Sequence, residues 1–261
     1  MDTQSKQPTL FLGHGDPQIA IHDDELTREL ATMGTRIRQT CGTPRAILML
    51  SAHWYTNGLF VQSTPRPRQI FDMYGFPQAL YDVKYEVEGC AELTESVVGA
   101  LGTDVAINDD WGIDHGTWTV LMHMFPEASI PVVQLSCNAL ASMCEQYELG
   151  ARLAHLRDEG FMIAGSGNVV HNLMAVDWDC AGGTPEADFF DEEMARAVRN
   201  RDDRMVLDYH QLAGAGFCVP TPEHLMPLPF VLGASKGEVP VVFNEMRQYA
   251  GISMTSFAFG V

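Results

Sequence analysis

Five histidines occupy positions in this sequence where an imidazole could do chemistry. His14 lies between two glycines directly after a short apolar run, and His53 follows a second apolar run. His171 comes after an apolar run that ends in a Gly-Ser-Gly-Asn turn. His115 lies in a glycine-bracketed loop, and His224 stands at a predicted helix start. Imidazole is both a common metal ligand and a group that exchanges protons near neutral pH, so these positions indicate metal binding, acid–base catalysis or both.

The elements before these histidines explain how residues far apart in the chain can meet. His14, His53 and His171 each follow a predicted strand. In an open α/β sheet, ligands bind in the crevice outside the carboxyl ends of the strands. Three imidazoles at that edge, joined by His115 and His224 from loops, suit a borderline divalent ion such as Zn²⁺ or Fe²⁺.

Each of these histidines also has a plainer interpretation, because a single histidine at a strand end is often only a hydrogen-bonded structural residue. The glycines beside His14 and His115 argue against that interpretation, since core packing does not require glycine there. His224 has the weakest local pattern, because it could cap a helix and the adjacent Glu223 competes with it as a metal ligand. The remaining histidines lie on or near predicted helices and are interpreted as surface or packing residues: His22, His123, His155 and His210.

Aromatic side chains near these motifs have two possible roles. They could line a wall that binds an aromatic ligand, or they could belong to the core, where large aromatic side chains are commonly buried. The residues in question are Trp54, Tyr74, Trp111 and Trp118. The sequence alone leaves both interpretations open.

The sequence motifs of several other kinds of site are absent, among them those of nucleotide-binding sites, metalloproteases and serine hydrolases. The chain has no GxxxxGK[ST] motif, no His-Glu-x-x-His, and no GxGxxG after the first predicted strand. The Gly165-Ser166-Gly167 turn lacks the outer glycines of a GxSxG nucleophile elbow, so Ser166 is not predicted to be a nucleophile. The six cysteines form no CxxC pair, which indicates reduced thiols rather than a zinc ribbon or a disulfide framework.

Composition limits the partners. Sixteen basic and 34 acidic residues give a net charge of −18, which repels nucleic-acid backbones and anionic membrane surfaces, and no basic cluster offsets it. No apolar run reaches the roughly 18 residues of a membrane span, and the N-terminal residues do not resemble a secretory signal. We therefore expect a cytoplasmic protein that binds neither nucleic acid nor membrane.

The alternation of short β-rich runs with amphipathic helices predicts one α/β domain over residues 1–261, with a largely parallel central sheet flanked by helices and a metal site at the carboxyl ends of the strands. Strands are predicted at 9–12, 46–51, 59–62, 83–87, 132–135, 161–164, 239–243 and 256–259. Helices are predicted from Asp24 onward, over 139–157 and 186–199, and from Glu223, where Pro227 and Pro229 should bend or end the helix.

Taken together, five motifs resemble those of the class III extradiol ring-cleavage dioxygenases, and most closely their 4,5-DOPA dioxygenase branch. In chain order they are Leu-Gly-His-Gly-Asp-Pro, Ser-Ala-His-Trp, Trp-Gly-Ile-Asp-His-Gly-Thr-Trp, Gly-Ser-Gly-Asn-Val-Val-His-Asn-Leu and Pro-Glu-His-Leu-Met-Pro-Leu. The resemblance extends over nearly the whole chain, in order and at similar spacing.

The resemblance implies a mononuclear non-haem Fe(II) site, in which Zn(II) can take the place of iron. By motif, His14, His53 and His224 would bind the metal, and His171 would act as the acid–base group or as a fourth ligand. His115 would contact the substrate or the oxygen pocket and could return a proton. The implied substrates are a small catechol and O₂, and the implied product is a muconic semialdehyde.

Two other functions stay open at this point. A zinc-dependent hydrolase could use the same histidines to activate water, with His171 as the base. A non-catalytic relative could keep the fold and only bind metal, because a fold does not determine a function. The sequence does not indicate the oligomeric state, the physiological metal or which catechol is opened.

Overall fold

A computed structural model describes residues 5–261 of the chain. Within these residues the strands are β1 (Thr9–Gly13), β2 (Ala46–Thr56), β3 (Phe60–Val61), β4 (Ala106–Ile107), β5 (Val132–Asn138), β6 (Phe161–Gly167), β7 (Pro240–Phe243), β8 (Arg247–Gln248), β9 (Ile252–Ser253) and β10 (Ser256–Phe259). The α-helices are α1 (Glu25–Thr40), α2 (Gln78–Tyr81), α3 (Ala91–Leu101), α4 (His115–Met124), α5 (Met143–Leu153), α6 (Pro185–Arg199), α7 (Asp203–Leu207), α8 (Ala215–Cys218) and α9 (Pro227–Ala234).

Eight of these strands form one sheet in the order β4-β3-β5-β2-β6-β1-β10-β7, and β8 pairs with β9 separately. The central neighbours β5, β2, β6 and β1 are all parallel. Antiparallel pairing is confined to the flanks, where β10 joins β1 and β7, and β3 joins β5. The predicted α/β fold with a largely parallel sheet is confirmed, and the parallel centre brings four carboxyl ends to one edge.

Helices cover both faces of the sheet because the central strands are apolar on both sides. In β2, Leu48 and Leu50 belong to one core cluster, which also contains side chains of α3, α5, α6 and α9. Ile47 and Met49 point to the other cluster, which contains side chains of α1 and α4. Burying one such side chain contributes about 1.5–3 kcal/mol, which explains the continuous apolar run of this strand.

The predicted strand at 83–87 is wrong, although its pattern is real. Tyr85 and Val87 are buried while Lys84 and Glu86 are exposed, so side chains alternate as they do in a strand. The backbone has no neighbouring strand, however: the Tyr85 N–H donates to the side-chain oxygen of Gln69 at 2.8 Å. The alternating sequence pattern thus indicates which side chains of this segment are buried. It does not indicate what the backbone bonds to.

Two predicted helices begin later than expected. The 139–157 segment becomes α5, which starts after the capping residue Ser142 and continues into a 3-10 turn, Ala154–Arg157. The segment from Glu223 is a turn, and α9 begins at Pro227. Prolines were expected to end this helix, but the N–H groups of a first helical turn have no partner within the helix, so proline is tolerated there.

A helix that spans a bilayer needs about 20 consecutive, mostly apolar residues. None of the helices in residues 5–261 is long and apolar enough to cross a membrane.

Candidate metal centre

Five histidines from five separate segments lie around one cavity. The ring centres of His14 and His53 are 4.9 Å apart, and those of His53 and His115 are 4.0 Å apart. His224 completes the group at 5.2 Å from His14 and 5.1 Å from His53, and the His171 ring stacks on His224 at 3.5 Å. The five histidines singled out in the sequence therefore lie around one cavity.

His14 and His53 reach the cavity from different backbone positions. His14 follows the last residue of β1 and donates its backbone N–H to Gly167 at the end of β6. His53 does not follow β2, as the sequence suggested, but lies within it, where the register with β5 shifts between Ser51 and Tyr55. Such irregularities redirect side chains next to active sites, and this one turns His53 toward the cavity.

The other three histidines come from connections between elements. His115 is the first residue of α4, whose capping residue is Asp114. His171 lies beyond β6 and pairs by a single bridge with Ile252 of β9. His224 lies in the turn before α9, where its carbonyl accepts the backbone N–H of Asn168 at 2.8 Å.

Glycine at position 116 makes room for two of the rings. A Cβ atom there would lie 2.9 Å from Cδ2 of His53 and 3.2 Å from Nδ1 of His14. At 2.9 Å the added Cβ would push the His53 ring away. The close packing of the two imidazoles therefore requires a glycine after His115.

The Nδ1 atoms of four histidines are engaged, that of His115 among them, which leaves their Nε2 atoms for another partner. His14 Nδ1 lies 2.8 Å from Ser166 Oγ; because that hydroxyl donates to the carbonyl of Gly116, it accepts from His14. His53 Nδ1 lies 3.1 Å from an Asp72 oxygen, and His224 Nδ1 lies 3.3 Å from Glu223 Oε1. This pattern fixes tautomers with a free Nε2 lone pair, as metal-binding histidines require.

Two carboxylates thus orient the rings, and the sequence identified only one of them as relevant. Asp72 accepts from His53 through one oxygen, and its other oxygen lies 2.9 Å from both Nδ1 and the backbone N–H of His115. Asp72 was missed because it lies in an irregular segment without a motif. Glu223, considered as a competing ligand, bonds to His224 instead, which supports His224 as the residue that faces the cavity.

Burial and mutual repulsion keep most of these rings neutral. Burial, followed by the charges of neighbouring histidines, lowers the pKa of His14 and of His224 well below the usual range. The same causes lower the pKa of His171 to about 4. Burial alone would lower the pKa of His53, but its hydrogen bond to Asp72 and nearby carboxylates raise it. Neutral imidazoles bind metal without first losing a proton.

The donor atoms fit a divalent ion of the zinc or iron type. His14 Nε2 and His53 Nε2 lie 3.0 Å apart. Two nitrogens that are each about 2.1 Å from a shared ion can be at most about 4.2 Å apart, so both of these atoms could reach one ion. His224 Nε2 is buried and has no hydrogen-bond partner within residues 5–261, which is costly unless something else binds it.

Two sets of potential ligand atoms can be distinguished within the cluster. The first triad consists of His14, His53 and His115, and the second triad consists of His171, Glu223 and His224. In each triad one ligand atom per residue lies within 4.8 Å of the others. The triads adjoin each other through the His14–His224 pair, so they line one site.

The cavity above the histidines has a volume of about 400 Å³, within the range of small-molecule pockets. Of the four aromatic residues considered from the sequence, only Tyr74 lines it. Trp54 and Trp118 are buried in the core, and Trp111 donates its indole N–H to Asp114 at 3.0 Å. Trp178 also lines the cavity and was missed.

The histidines interpreted as surface or packing residues stay outside the cluster. His22 and His210 are exposed, and His155 lies 3.8 Å from Glu159 at the surface. His123 is half-buried, and its Nε2 lies 2.8 Å from the carbonyl of Ile19. None of them lines the cavity.

The chain is similar in sequence to several known proteins. A family model described as the catalytic LigB subunit of aromatic ring-opening dioxygenase matches residues 7–260. The chain is 38% identical to a 4,5-DOPA dioxygenase extradiol of Escherichia coli over 99% of its length and 96% of that protein. It is 36% identical to a protein of the same name from Beta vulgaris, over 87% and 86% of the two chains.

A solved structure supports the fold independently of these sequence matches. The crystal structure of the uncharacterized protein JW3007 from Escherichia coli K12 superposes with a TM-score of 0.83 and 35% sequence identity. The superposition covers 97% of this chain and all of that chain. The fold of this chain is therefore one that a solved structure also shows.

Proposed function

The chain belongs to the family of the catalytic LigB subunit of aromatic ring-opening dioxygenase, and we propose that this extradiol dioxygenase opens the ring of a catechol with O₂ and yields a muconic semialdehyde. The names of the family and of its relatives describe dioxygenases that open aromatic rings. DOPA is a catechol with an amino-acid side chain. For this chain we propose only that the substrate is a catechol.

One observation carries the proposal: the Nε2 atoms of His14 and His53 lie 3.0 Å apart, and the ring of His224 is centred 5.2 Å from that of His14. Within residues 5–261 the buried Nε2 of His224 has no hydrogen-bond partner. We assign these three residues as the metal ligands, with Fe(II) as the active metal and Zn(II) as an alternative occupant. When bound, the ion supplies a positive centre that holds the two catechol oxygens and favours their deprotonation.

His171 is assigned as the group that takes a catechol proton. The sequence suggested an ordinary histidine pKa near 6.5, whereas burial and the charge of His53 lower the pKa to about 4. At neutral pH the ring is therefore uncharged and able to accept a proton. Its low pKa also means that the protonated ring readily gives the proton back, which suits a residue that must act as base and then as acid.

His115 is the second proton-transfer candidate. Because Asp72 accepts from its Nδ1, the neutral ring presents an unprotonated Nε2. Burial and the charge of His53 lower the pKa of His115 as well, so this nitrogen accepts a hydrogen bond from a substrate hydroxyl at neutral pH. His115 and His171 thus flank the substrate position from different elements.

Oxygen consumption tests the proposal directly. Metal-free protein is loaded anaerobically with Fe(II), mixed with a catechol and exposed to air while O₂ uptake and the yellow product are recorded. Stoichiometric O₂ uptake with ring opening is expected, and the variant His155→Ala, which lacks only a surface imidazole, should behave in the same way. A zinc-dependent hydrolase would instead work without O₂, and a protein that only binds metal would leave the catechol intact.

A further inference from the structure

The cavity that would hold the ring substituent of the substrate has an acidic wall. Asp16, two residues after His14, lines the cavity and is 4% exposed. Its two oxygens accept from the backbone N–H and the side-chain amide of Gln18, both at 2.9 Å. These donors are neutral, and within residues 5–261 no lysine, arginine or histidine lies within ion-pair distance of Asp16. Its negative charge is therefore uncompensated by the protein.

The mouth of the same cavity is aromatic. Tyr74 is 93% exposed and Trp178 is 59% exposed, although both line the cavity. Trp178 packs at 5.0 Å from Tyr249, and burial together with the charges of Asp16 and Asp24 raises the pKa of the Tyr249 hydroxyl. Aromatic faces attract cations, and large exposed rings at a cavity mouth favour a ligand that covers them.

A counter-charge for an anionic substituent is missing. Among the described residues, neither lysine nor arginine lines the cavity. Arg247, two residues from Tyr249 in sequence, is held by the carboxylates of Asp188 and Asp191. A substrate carboxylate would therefore lose its water without gaining a cationic partner, and it would also face Asp16.

Resting on the proposed function, we propose that the preferred substrate is a catechol whose side chain carries an ammonium group and no carboxylate. The catechol oxygens lie toward the histidines, and the ammonium lies between the Asp16 carboxylate and the aromatic faces of Tyr74 and Trp178. A primary amine has a pKa near 10, so it is charged at neutral pH. This substrate differs from DOPA itself, which carries a carboxylate beside its amine.

A set of catechols that differ only in side-chain charge tests the proposal. Iron-loaded protein is titrated without O₂ with dopamine, 4-ethylcatechol, dihydroxyphenylpropionate and DOPA, and kcat/KM is then measured in air. Dopamine should bind at least about tenfold more tightly than dihydroxyphenylpropionate, with 4-ethylcatechol between them and DOPA below dopamine. The preference should weaken as salt is added.

The variant Asp16→Asn tests whether the preference for an ammonium side chain depends on Asp16. Asp16 caps the 3-10 helix Pro17–Ile21, and asparagine is as good a capping residue as aspartate. Gln18 can turn its amide to match the asparagine, so the fold should survive. Asp16→Ser is a second variant that keeps a capping oxygen. The ratio of dopamine to dihydroxyphenylpropionate affinity should fall about tenfold in both variants. Asp158→Asn removes an equal charge near the amino end of β6, opposite the cavity, and should leave the ratio unchanged.

The outcomes separate the two proposals. If the carboxylate compound binds as tightly as the amine, or if both Asp16 variants keep the wild-type ratio while folded and metal-loaded, the substituent proposal is wrong and ring opening stands. If no catechol binds or is opened, the proposed function fails and the substituent proposal fails with it.

Discussion

The two triads of the cluster are held in different ways. Two members of the first triad lie at or within β1 and β2, the third begins α4, and hydrogen bonds of 2.8–3.1 Å to Ser166 and Asp72 fix all three rings. The second triad lies in irregular connections, with one bond of 3.3 Å from His224 to Glu223 and one stacked pair of rings. We therefore expect the first triad to supply two firmly positioned metal ligands, and the second triad to combine the third ligand with the proton acceptor His171.

The largest effect should follow from removing a ligand in the first triad. His14→Ala or His53→Ala should weaken metal binding by more than about 100-fold, because the remaining donors no longer surround the ion. Metal content after dialysis against a weak chelator measures this loss, with His155→Ala as the control. Retention of one tightly bound ion per chain by both variants would contradict the ligand assignment.

A substitution in the second triad should separate metal binding from catalysis. His171→Ala should keep nearly all its metal but lose about 10²–10⁴-fold in kcat, since the proton acceptor is gone. Metal content and kcat are measured on the same preparation, and His210→Ala, which removes an exposed imidazole, serves as the control. Loss of metal together with activity would instead make His171 a ligand, and turnover at the wild-type rate would remove it from catalysis.

Asp72→Asn tests how strongly the first triad depends on its shared carboxylate. An amide can accept from only one of the two histidines, so His53 or His115 loses its fixed tautomer. We expect metal affinity to fall about 10–100-fold, as it does when partners of metal-bound histidines are removed. Asp72→Glu, which keeps both acceptors, should recover part of the affinity, whereas wild-type affinity in Asp72→Asn would show that the carboxylate has no such role.

Glu223→Gln should have the smallest effect of the four. The bond to His224 is long, Glu223 serves one ring, and the amide oxygen of glutamine can still accept from Nδ1. Metal affinity should fall by less than about tenfold. Comparing this variant with Asp72→Asn by the same chelator titration shows directly which triad depends more on its carboxylate, and a larger loss at Glu223 would reverse the comparison.

The sequence predicted the convergence of the histidines because one simple rule determines it. In a parallel sheet, carboxyl ends share an edge, so His14 and His171 could be placed together from their preceding strands. The same reasoning could not find Asp72 or Trp178, because both lie in irregular segments whose position depends on packing between distant parts of the chain. The strand predicted at 83–87 was wrong because alternating buried and exposed side chains occur in strands and in extended loops alike. In this loop the side chain of Gln69 accepts the backbone N–H of Tyr85, in place of a neighbouring strand.

The assigned ligands come from near both termini of the sequence, at positions 14, 53 and 224. An ion bound to them cross-links the first strand to the turn before the last α-helix, and the unfolded chain cannot hold it in this way. Folding stability therefore rises with the free metal concentration, by about 2.7 kcal/mol when that concentration is 100 times the dissociation constant. A cell short of the metal would hold a protein that is not only inactive but also easier to unfold and degrade.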